Sequence, residues 1–239
     1  MDVRPALARR PAPRTRPGRS QAERSATTRT GLLEATLASL AERGYAHTTT
    51  TEVCRRAGVS QGALFKHFPT KVDLLAASAE RVLLSLVEAF RAAVPARPPA
   101  ELDARVKLGV AALWSVFRLP GMHGLFEVYL AARNEPALAA ALEPLLVAHR
   151  ENILGEARAL MPELAGSDAL VTGVDAVVYA MQGVALGVFT NDARREREHL
   201  AFFERLAVHE LAFARVEAPS EGRARTEGTE KKVTRSRGR

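Results

Sequence analysis

Hydrophobic residues recur at three- and four-residue steps along most of the chain, and this spacing predicts an all-α fold. Residues 21–43 form the first amphipathic stretch, which predicts one helix ending at Gly44. Glycine and proline breaks separate the later stretches, so that about nine helices are expected in total. The predicted helices after the first are residues 50–57, 61–66, 71–93, 102–119, 122–133, 136–161, 169–190 and 204–216.

Two short helices between residues 44 and 75 carry strong local signals for their ends. Thr49 and Glu52 have the spacing of a capping box, in which the threonine hydroxyl accepts the Glu52 amide and the carboxylate reaches back. Gly58 supplies a left-handed residue after the first helix, and Ser60 is a suitable N-cap for the second. Two short helices joined by a glycine turn predict a helix-turn-helix.

The next helix also begins with a capping signal. Thr70 and Asp73 predict a second capping box. Lys71 lies in the first turn, where a cation meets the positive end of the helix dipole, so a phosphate oxygen is its expected partner. Tyr45, directly after Gly44, is expected to plug the small core of the helix-turn-helix.

Residues 44–75 read GYAHTTTTEVCRRAGVSQGALFKHFPTKVDLL. This pattern, preceded by one amphipathic helix and followed by a helical block over residues 76–216, resembles the TetR-like (TetR/AcrR-type) family of transcriptional regulators. The phrase NEPALAAALEPLLVAHR at 134–150 resembles second domains of that family. The resemblance implies three N-terminal helices that bind DNA and an all-helical ligand-binding and dimerisation domain. Phe65 stands where the family most often has a tyrosine that contacts a phosphate.

The second short helix is expected to enter the major groove of DNA. Gly62 and Ala63 permit close approach, Gln61 can pair with adenine, and Lys66 can pair with guanine or a phosphate. A dimer on a palindromic operator is expected, because one such helix contacts only a few base pairs. The full set of DNA-binding candidates is Thr49, Thr50, Ser60, Gln61, Gly62, Ala63, Phe65, Lys66, His67 and Lys71.

Charge is distributed unevenly over the 239 residues, whose formal net charge is +7. Residues 1–20 carry +5, residues 21–75 carry +2, residues 217–239 carry +3, and residues 76–216 carry −3. Residues 1–20 and 217–239 lack apolar periodicity and are expected to be a disordered arm and a disordered tail. The basic arm at 1–20 is either a solvated leader or a segment that follows the DNA backbone.

Residues 169–190 form the most apolar stretch. Asp175 and Gln182 near its middle argue against a membrane span, so a helix buried on all sides is expected instead. Small residues recur along it and would let another helix approach closely. Together with two leucines of the last helix they predict a dimer interface, and the resemblance implies a four-helix bundle there. These interface candidates are Gly173, Ala176, Ala180, Gly183, Gly187, Leu206 and Leu211.

Aromatic residues are scarce, at 5% of the chain, yet several fall between residues 114 and 129. They could line an apolar cavity or belong to an ordinary core, and the resemblance implies a cavity for a small molecule. The ligand-binding candidates are Trp114, Phe117, Met122, Phe126, Tyr129 and Met181.

Function follows from these signals and from what the chain lacks. The single cysteine, Cys54, cannot form an internal disulfide, which favours the cytoplasm. No catalytic motif, cofactor site or metal site is expected, and His123 with Glu127 is predicted to be a surface hydrogen bond. The chain is therefore predicted to be a ligand-responsive DNA-binding regulator, most often a repressor in this family. The alternatives are an activator, a regulator without a ligand, and a small-molecule carrier or enzyme.

Overall fold

The structure is a computed structural model that describes residues 20–187 and 192–217. The predicted arm at 1–20 and tail at 217–239 lie outside this range apart from residues 20 and 217. The described residues contain no strand, which confirms the all-α prediction, and one turn of 3-10 helix at Pro162–Leu164 follows α7. Residues 20–187 and 192–217 contain nine α-helices, which are α1 Gln21–His47, α2 Thr50–Ala57, α3 Gln61–His67, α4 Lys71–Ala93, α5 Leu102–Phe117, α6 Gly121–Ala132, α7 Pro136–Leu160, α8 Asp168–Ala185 and α9 Ala193–Glu217.

Helix α1 continues past its predicted end and is kinked at Gly44. The glycine has φ +72° and ψ 176°, a conformation that an L side chain rarely adopts, and helical bonding resumes for one turn after it. The Thr48 hydroxyl lies 2.9 Å from the Gly44 carbonyl oxygen and 3.0 Å from the Ser39 hydroxyl. Ser39 and Thr48 are both buried, so these polar contacts fix the kink.

Two apolar cores lie along the chain, and α1 and α4 contribute to both. The small core lies beneath α2 and α3 and contains Leu32, Val53 and Leu64. The larger core is built from α4 to α9 and also takes Leu40 from the second half of α1. Tyr45 packs against this larger core, so its predicted place in the small core is wrong. The kink at Gly44 thus places Tyr45, in the last turn of α1, against the larger core.

Helix α8 is shorter than predicted. It ends at Ala185, and Gly187 follows it in a left-handed conformation with φ +62°. Only Leu170 and Met181 of α8 are fully buried, so the prediction that this helix is buried on all sides does not hold for the single chain. Among the described residues, no helix combines the length and the apolarity needed to cross a bilayer.

Helix α9 begins at Ala193 rather than at residue 204. Residues 193–199 are mostly charged and show no apolar period, which hid this start in the sequence. The Asp192 carboxylate accepts the Arg194 amide at 2.8 Å and so caps the first turn.

Candidate nucleic-acid interface and internal cavity

The turn between α2 and α3 has the predicted cap geometry. Gly58 adopts φ +65° and ψ 33°, and the Ser60 hydroxyl accepts the Ala63 amide at 3.2 Å. Leu64 and Phe68 are buried on the small core and hold the inner side of α3. The opposite side of this seven-residue helix is left open to solvent.

Glu52 has a different role from the predicted one. Its amide donates to the Thr49 hydroxyl at 3.1 Å, but its carboxylate does not reach back to close the capping box. The carboxylate instead accepts hydrogen bonds from Arg55 at 2.8 and 2.9 Å and from Arg56 at 2.7 Å. These hydrogen bonds lower the pKa of Glu52 to about 2. Arg56 also binds Glu42 of α1 at 2.7 Å, so the network joins α2 to α1.

The outer side of α3 presents Gln61, Gly62, Phe65 and Lys66 to solvent. Phe65 is 43% exposed, a large value for an aromatic side chain beside a packed core. The Gln61 side-chain amide donates to the Thr51 hydroxyl at 2.9 Å, which limits its rotamers. The surface therefore combines one oriented amide, one aromatic ring and one cation.

Other DNA-binding candidates surround this surface. The Thr49 and Ser60 side chains are exposed but also serve as helix caps, whereas Thr50, Ala63 and His67 are half-buried. At the start of α4 the predicted capping box is confirmed, because the Thr70 amide donates to the Asp73 carboxylate at 2.9 Å and the Asp73 amide to the Thr70 hydroxyl at 3.1 Å. These three caps place the N-termini of α2, α3 and α4.

Lys71, in the first turn of α4, has an aromatic neighbour. Its Nζ lies 4.2 Å from the centroid of the Tyr45 ring, a cation–π distance. The aromatic face compensates in part for the unfavourable helix dipole at this position. Tyr45, the residue directly after the kink of α1, thereby holds the Lys71 side chain in place.

Several basic side chains of residues 21–75 are engaged within the domain. Arg55 and Arg56 pair with Glu52, and Arg43 lies 3.8 Å from the same carboxylate. The Arg29 guanidinium lies 5.2 Å from the centroid of the Phe68 ring. Lys66, by contrast, has no ion pair among the described residues. These internal contacts leave fewer basic side chains of residues 21–75 available to contact a partner.

A cavity of about 480 Å³ lies within the larger core, between α4, α5, α6, α7, α8 and α9. Of the ligand-binding candidates, Phe117, Met122 and Tyr129 line it. Trp114, Phe126 and Met181 do not line it and pack in the surrounding core. The Trp114 indole donates to the Glu196 carboxylate of α9 at 3.2 Å.

Most of the cavity wall was not predicted. Its apolar lining includes residues far apart in sequence, and no local spacing marks them as neighbours. These residues are Leu86, Val87, Phe90, Val106, Val110, Leu113, Leu146, Ile153, Leu160, Val174, Val178, Ala207 and Leu211. Only the assembled fold brings them together.

The polar groups of the cavity wall fall into two classes. Arg150 and Asp175 form a two-pronged ion pair, with nitrogen–oxygen distances of 3.0 and 2.6 Å. Tyr129 and His149 have no hydrogen-bond partner among the described residues, and His149 Nδ1 is buried. Burial raises the pKa of the Tyr129 hydroxyl and lowers the pKa of the His149 imidazole, so both side chains are uncharged at neutral pH.

Helix α6 lies between the cavity and α1. Met122, Leu125 and Tyr129 line the cavity. On another face, the Glu127 carboxylate accepts the Tyr45 amide at 2.8 Å, so the predicted surface hydrogen bond between His123 and Glu127 is wrong. One helix therefore contacts both the cavity and the kink of α1.

Helix α6 also approaches α1 through Gly124. A Cβ at this glycine would lie 3.3 Å from the Leu40 Cβ and 3.5 Å from the Leu37 carbonyl oxygen. The absence of a side chain thus allows α6 to pack closely against α1.

The candidates for a dimer interface occupy different environments. Gly173 packs against Leu211 inside the chain, since a Cβ on the glycine would lie 3.5 Å from the Leu211 Cδ2. Ala176 and Gly183 are exposed on α8, and Ala180 is half-buried. The remaining two candidates are Gly187, beyond the end of α8, and Leu206, exposed on α9.

Exposed apolar side chains border those small residues. Tyr179 of α8 is 67% exposed and Phe202 of α9 is 53% exposed. Leu186 and Leu206 are exposed on the same two elements. We call Ala176, Tyr179, Gly183, Leu186, Phe202 and Leu206 the α8/α9 face.

Comparison with known proteins relates these features to a family. Residues 32–78 match the family profile of bacterial regulatory proteins, tetR family. An HTH-type transcriptional regulator of Mycobacterium tuberculosis (strain ATCC 25618 / H37Rv) is 36% identical over 145 residues, which are 59% of this chain and 72% of that protein. The chain belongs to the TetR family of bacterial regulatory proteins.

Other similar proteins extend the comparison. The HTH-type transcriptional regulator CymR of Pseudomonas putida is 34% identical over 125 residues, which cover 52% of this chain and 61% of CymR. Salmonella enterica GusR has a TM-score of 0.60 at 20% identity, over 77% of this chain and 95% of GusR. The multidrug binding protein EbrR, in complex with ethidium, has a TM-score of 0.58 at 20% identity, over 77% and 98% of the two chains. These two structures support the fold.

Proposed function

We propose that this TetR-family regulator is a repressor that binds a palindromic operator as a homodimer in the cytoplasm, and that a small apolar molecule in the cavity releases it. Residues 21–75 would form the DNA-binding domain, with the motif at 49–68, and residues 76–216 the ligand-binding and dimerisation domain. The observation that carries the proposal is the position of α6, which contacts the cavity with Met122 and Tyr129 and the kink of α1 with Glu127.

Recognition of bases would come from the outer side of α3. The Gln61 side-chain amide can accept one hydrogen bond from an adenine and donate another to it. Its hydrogen bond to Thr51 partly fixes the orientation of the amide before DNA binds. Lys66 can donate to guanine or to a phosphate. Phe65 replaces the phosphate contact of a tyrosine with an apolar contact, for which a thymine methyl group is a suitable partner.

Phosphate contacts would position the domain without specifying sequence. Lys71 is held by the Tyr45 ring at the start of α4, and Thr49, Thr50, Ser60 and His67 flank α3. The N-termini of α2, α3 and α4 add partial positive charge beside these residues.

A second copy of the chain would cover the α8/α9 face. Isolated apolar side chains on a surface are ordinary, but here Tyr179, Leu186, Phe202 and Leu206 accompany small residues on two adjacent helices. No heavy atom lies within 4 Å of a Cβ placed at Gly183, so a helix of the partner has room to approach. A two-fold axis through this face would pair two copies of α3 on a palindromic site.

Ligand binding would change DNA affinity through α6. A molecule that shifts Met122 and Tyr129 moves the helix that also holds the Tyr45 amide through Glu127. Tyr45 in turn contacts Lys71, so the displacement reaches a proposed phosphate contact. A ligand with a higher affinity for the displaced state therefore lowers DNA affinity by the same coupling free energy.

A gel shift with the DNA upstream of the gene itself tests the proposal. Retardation that weakens with rising salt is expected, together with a palindromic footprint. Gly183→Arg should yield monomers by light scattering and lose the shift, whereas Gly183→Ala should keep both the dimer and the shift. Gly187 is a poor choice for this test, because its left-handed φ would strain any side chain. Absence of a shift with the unmodified protein would refute the proposed DNA binding. A Gly183→Arg protein that stays dimeric would refute the proposed dimer interface.

A further inference from the structure

The chemistry of the cavity wall limits which small molecules it can hold, and the following inference rests on the proposed function. Three charged side chains line the cavity, namely Arg150, Asp175 and Glu156. Arg150 is neutralised by Asp175 through two nitrogen–oxygen contacts of 3.0 and 2.6 Å. Glu156 is neutralised by Arg91, whose Nη2 lies 2.6 Å from its carboxylate. Each charge on the wall thus already has a partner.

An ionic ligand would therefore enter without a free counter-charge. It would lose its hydration and would have to break an existing ion pair to be neutralised. An uncharged ligand avoids both costs. The volume of about 480 Å³ lies within the range that drug-sized molecules occupy, and the lining is mainly apolar.

Four uncharged polar side chains on the wall lack hydrogen-bond partners among the described residues, namely Tyr129 and His149, and also Tyr179 and Gln182. Tyr129 of α6 offers a hydroxyl, which can donate or accept, and His149 of α7 offers a neutral imidazole with one donor and one acceptor nitrogen. Neither side chain is hydrogen-bonded within the described residues, and the His149 Nδ1 atom is buried, where a polar group normally has a partner. A ligand with a hydroxyl or carbonyl group can supply the missing bond.

We infer that the cavity takes an uncharged, mainly apolar molecule carrying a hydroxyl or carbonyl group, which hydrogen-bonds to Tyr129 and His149. Tyr129 belongs to α6, so the polar end of the ligand acts on the helix that contacts α1. The apolar part fills the space between α4, α5 and α8. The effector class is thus a neutral alcohol, phenol, ketone or ester rather than a carboxylic acid or an amine.

The test measures the binding of three naphthalene derivatives, one neutral, one anionic and one cationic, by calorimetry on the full-length protein at pH 7.5. The probes are 2-naphthalenemethanol, 2-naphthoate and 2-naphthylmethylammonium. The alcohol is expected to bind about tenfold or more tightly than either ion, since each ion loses its hydration without a counter-charge. Equal or tighter binding of either ion overturns the inference, as does failure of all three probes to bind.

A variant with a matched probe tests the polar contact. Tyr129→Phe should weaken binding of the alcohol about tenfold, the usual effect of losing one hydrogen bond, and should leave 2-methylnaphthalene unchanged. An equal effect on both probes would show a packing role instead and would overturn the assignment of Tyr129.

A separate control isolates the cavity from DNA binding. Val110→Phe places a ring in the cavity and should abolish calorimetric binding of the alcohol, while the gel shift without ligand persists. If the alcohol still binds Val110→Phe unchanged, the site lies elsewhere and the inference fails. If the unmodified protein binds the alcohol but causes no gel shift, the proposed function fails and the inference stands.

Discussion

The small core beneath α3 and the larger core around the cavity differ in how completely their side chains fill space. Leu32, Val53 and Leu64 of the small core are at most 1% exposed, and an ion-pair network around Glu52 joins its helices. The larger core surrounds a partly open cavity of about 480 Å³, in which Tyr129 and His149 have no hydrogen-bond partner among the described residues. The first arrangement holds a surface in one shape, and the second keeps space and hydrogen-bonding capacity for another molecule.

The filled small core is expected to be rigid, and the larger core around the cavity is expected to change shape when a ligand binds. A filled core resists any change in side-chain volume, whereas atoms that border an empty space have no contacts on that side to lose. Helices α1 and α4 take part in both cores, so a change in the larger core can displace the DNA-binding helices without repacking the small core.

The largest expected effect comes from matched leucine truncations. Leu64→Ala in the small core should lower the free energy of unfolding by about 2–5 kcal/mol, because it removes fully packed atoms and leaves a void. Leu146→Ala, on the cavity wall, should lower it by less than about 2 kcal/mol, because part of that side chain already faces empty space. Denaturant unfolding followed by circular dichroism measures both. Equal losses would contradict the contrast between the cores.

Matched valine enlargements should give the next largest effect. Val53→Phe overpacks the small core and should cost about 1–3 kcal/mol of unfolding free energy. Val110→Phe has the cavity to enter and should change that free energy by less than about 1 kcal/mol. The same unfolding experiment compares the two, and a larger loss for Val110→Phe would show that the cavity cannot accept a ring.

A pH series probes the network that holds the small core together. Hydrogen bonds from Arg55 and Arg56 lower the pKa of Glu52 to about 2, below the usual value of 4.5. Its contribution to stability is therefore complete above about pH 4.5 and is lost as the pH falls toward 2. Glu52→Gln should lower Tm at pH 7, and its difference from the unmodified protein should shrink on acidification. Glu80→Gln, on the exposed side of α4, is the control and should change little at any pH.

The smallest effect concerns the salt dependence of operator binding. Lys71→Gln should reduce the slope of log K against log salt by about 0.9, since one phosphate contact is removed, and it should do so for every operator variant. Lys107→Gln, on the exposed side of α5, should leave the slope unchanged. A loss limited to one operator sequence would show that Lys71 contacts a base, and the gel shifts at several salt concentrations would reveal it.

Local chemistry explains why the helix-turn-helix could be predicted from sequence. Gly58, Ser60 and the pair Thr70 and Asp73 each act within four residues of their partners, so spacing alone indicates their role. Glu52 escaped the same reasoning, because the arginines that compete for its carboxylate are as close in sequence as Thr49. The family resemblance supplied the remainder of the DNA-binding surface.

The cavity could be predicted only as an expectation from the family. Phe117, Met122 and Tyr129 lie on its wall and Trp114 does not, although all four share the same local density of aromatic and apolar residues. Which side of α5 or α6 faces an empty space depends on how six helices pack, and no spacing within one helix encodes that. The partner of Glu127 was missed for the same reason, since Tyr45 lies 82 residues away.

The ion pairs of Arg43, Arg55 and Arg56 also bear on how such a protein would search a genome. The three arginines share the carboxylates of Glu52 and Glu42, so two of their three positive charges are neutralised within the domain and are not available to displace counterions from random DNA. Affinity of the described domain for random sequence would thereby be reduced, while the proposed contacts from α3 to base edges would keep their full value. With millions of competing sites, this discrimination ratio sets how many copies of a regulator a cell needs to keep one operator occupied.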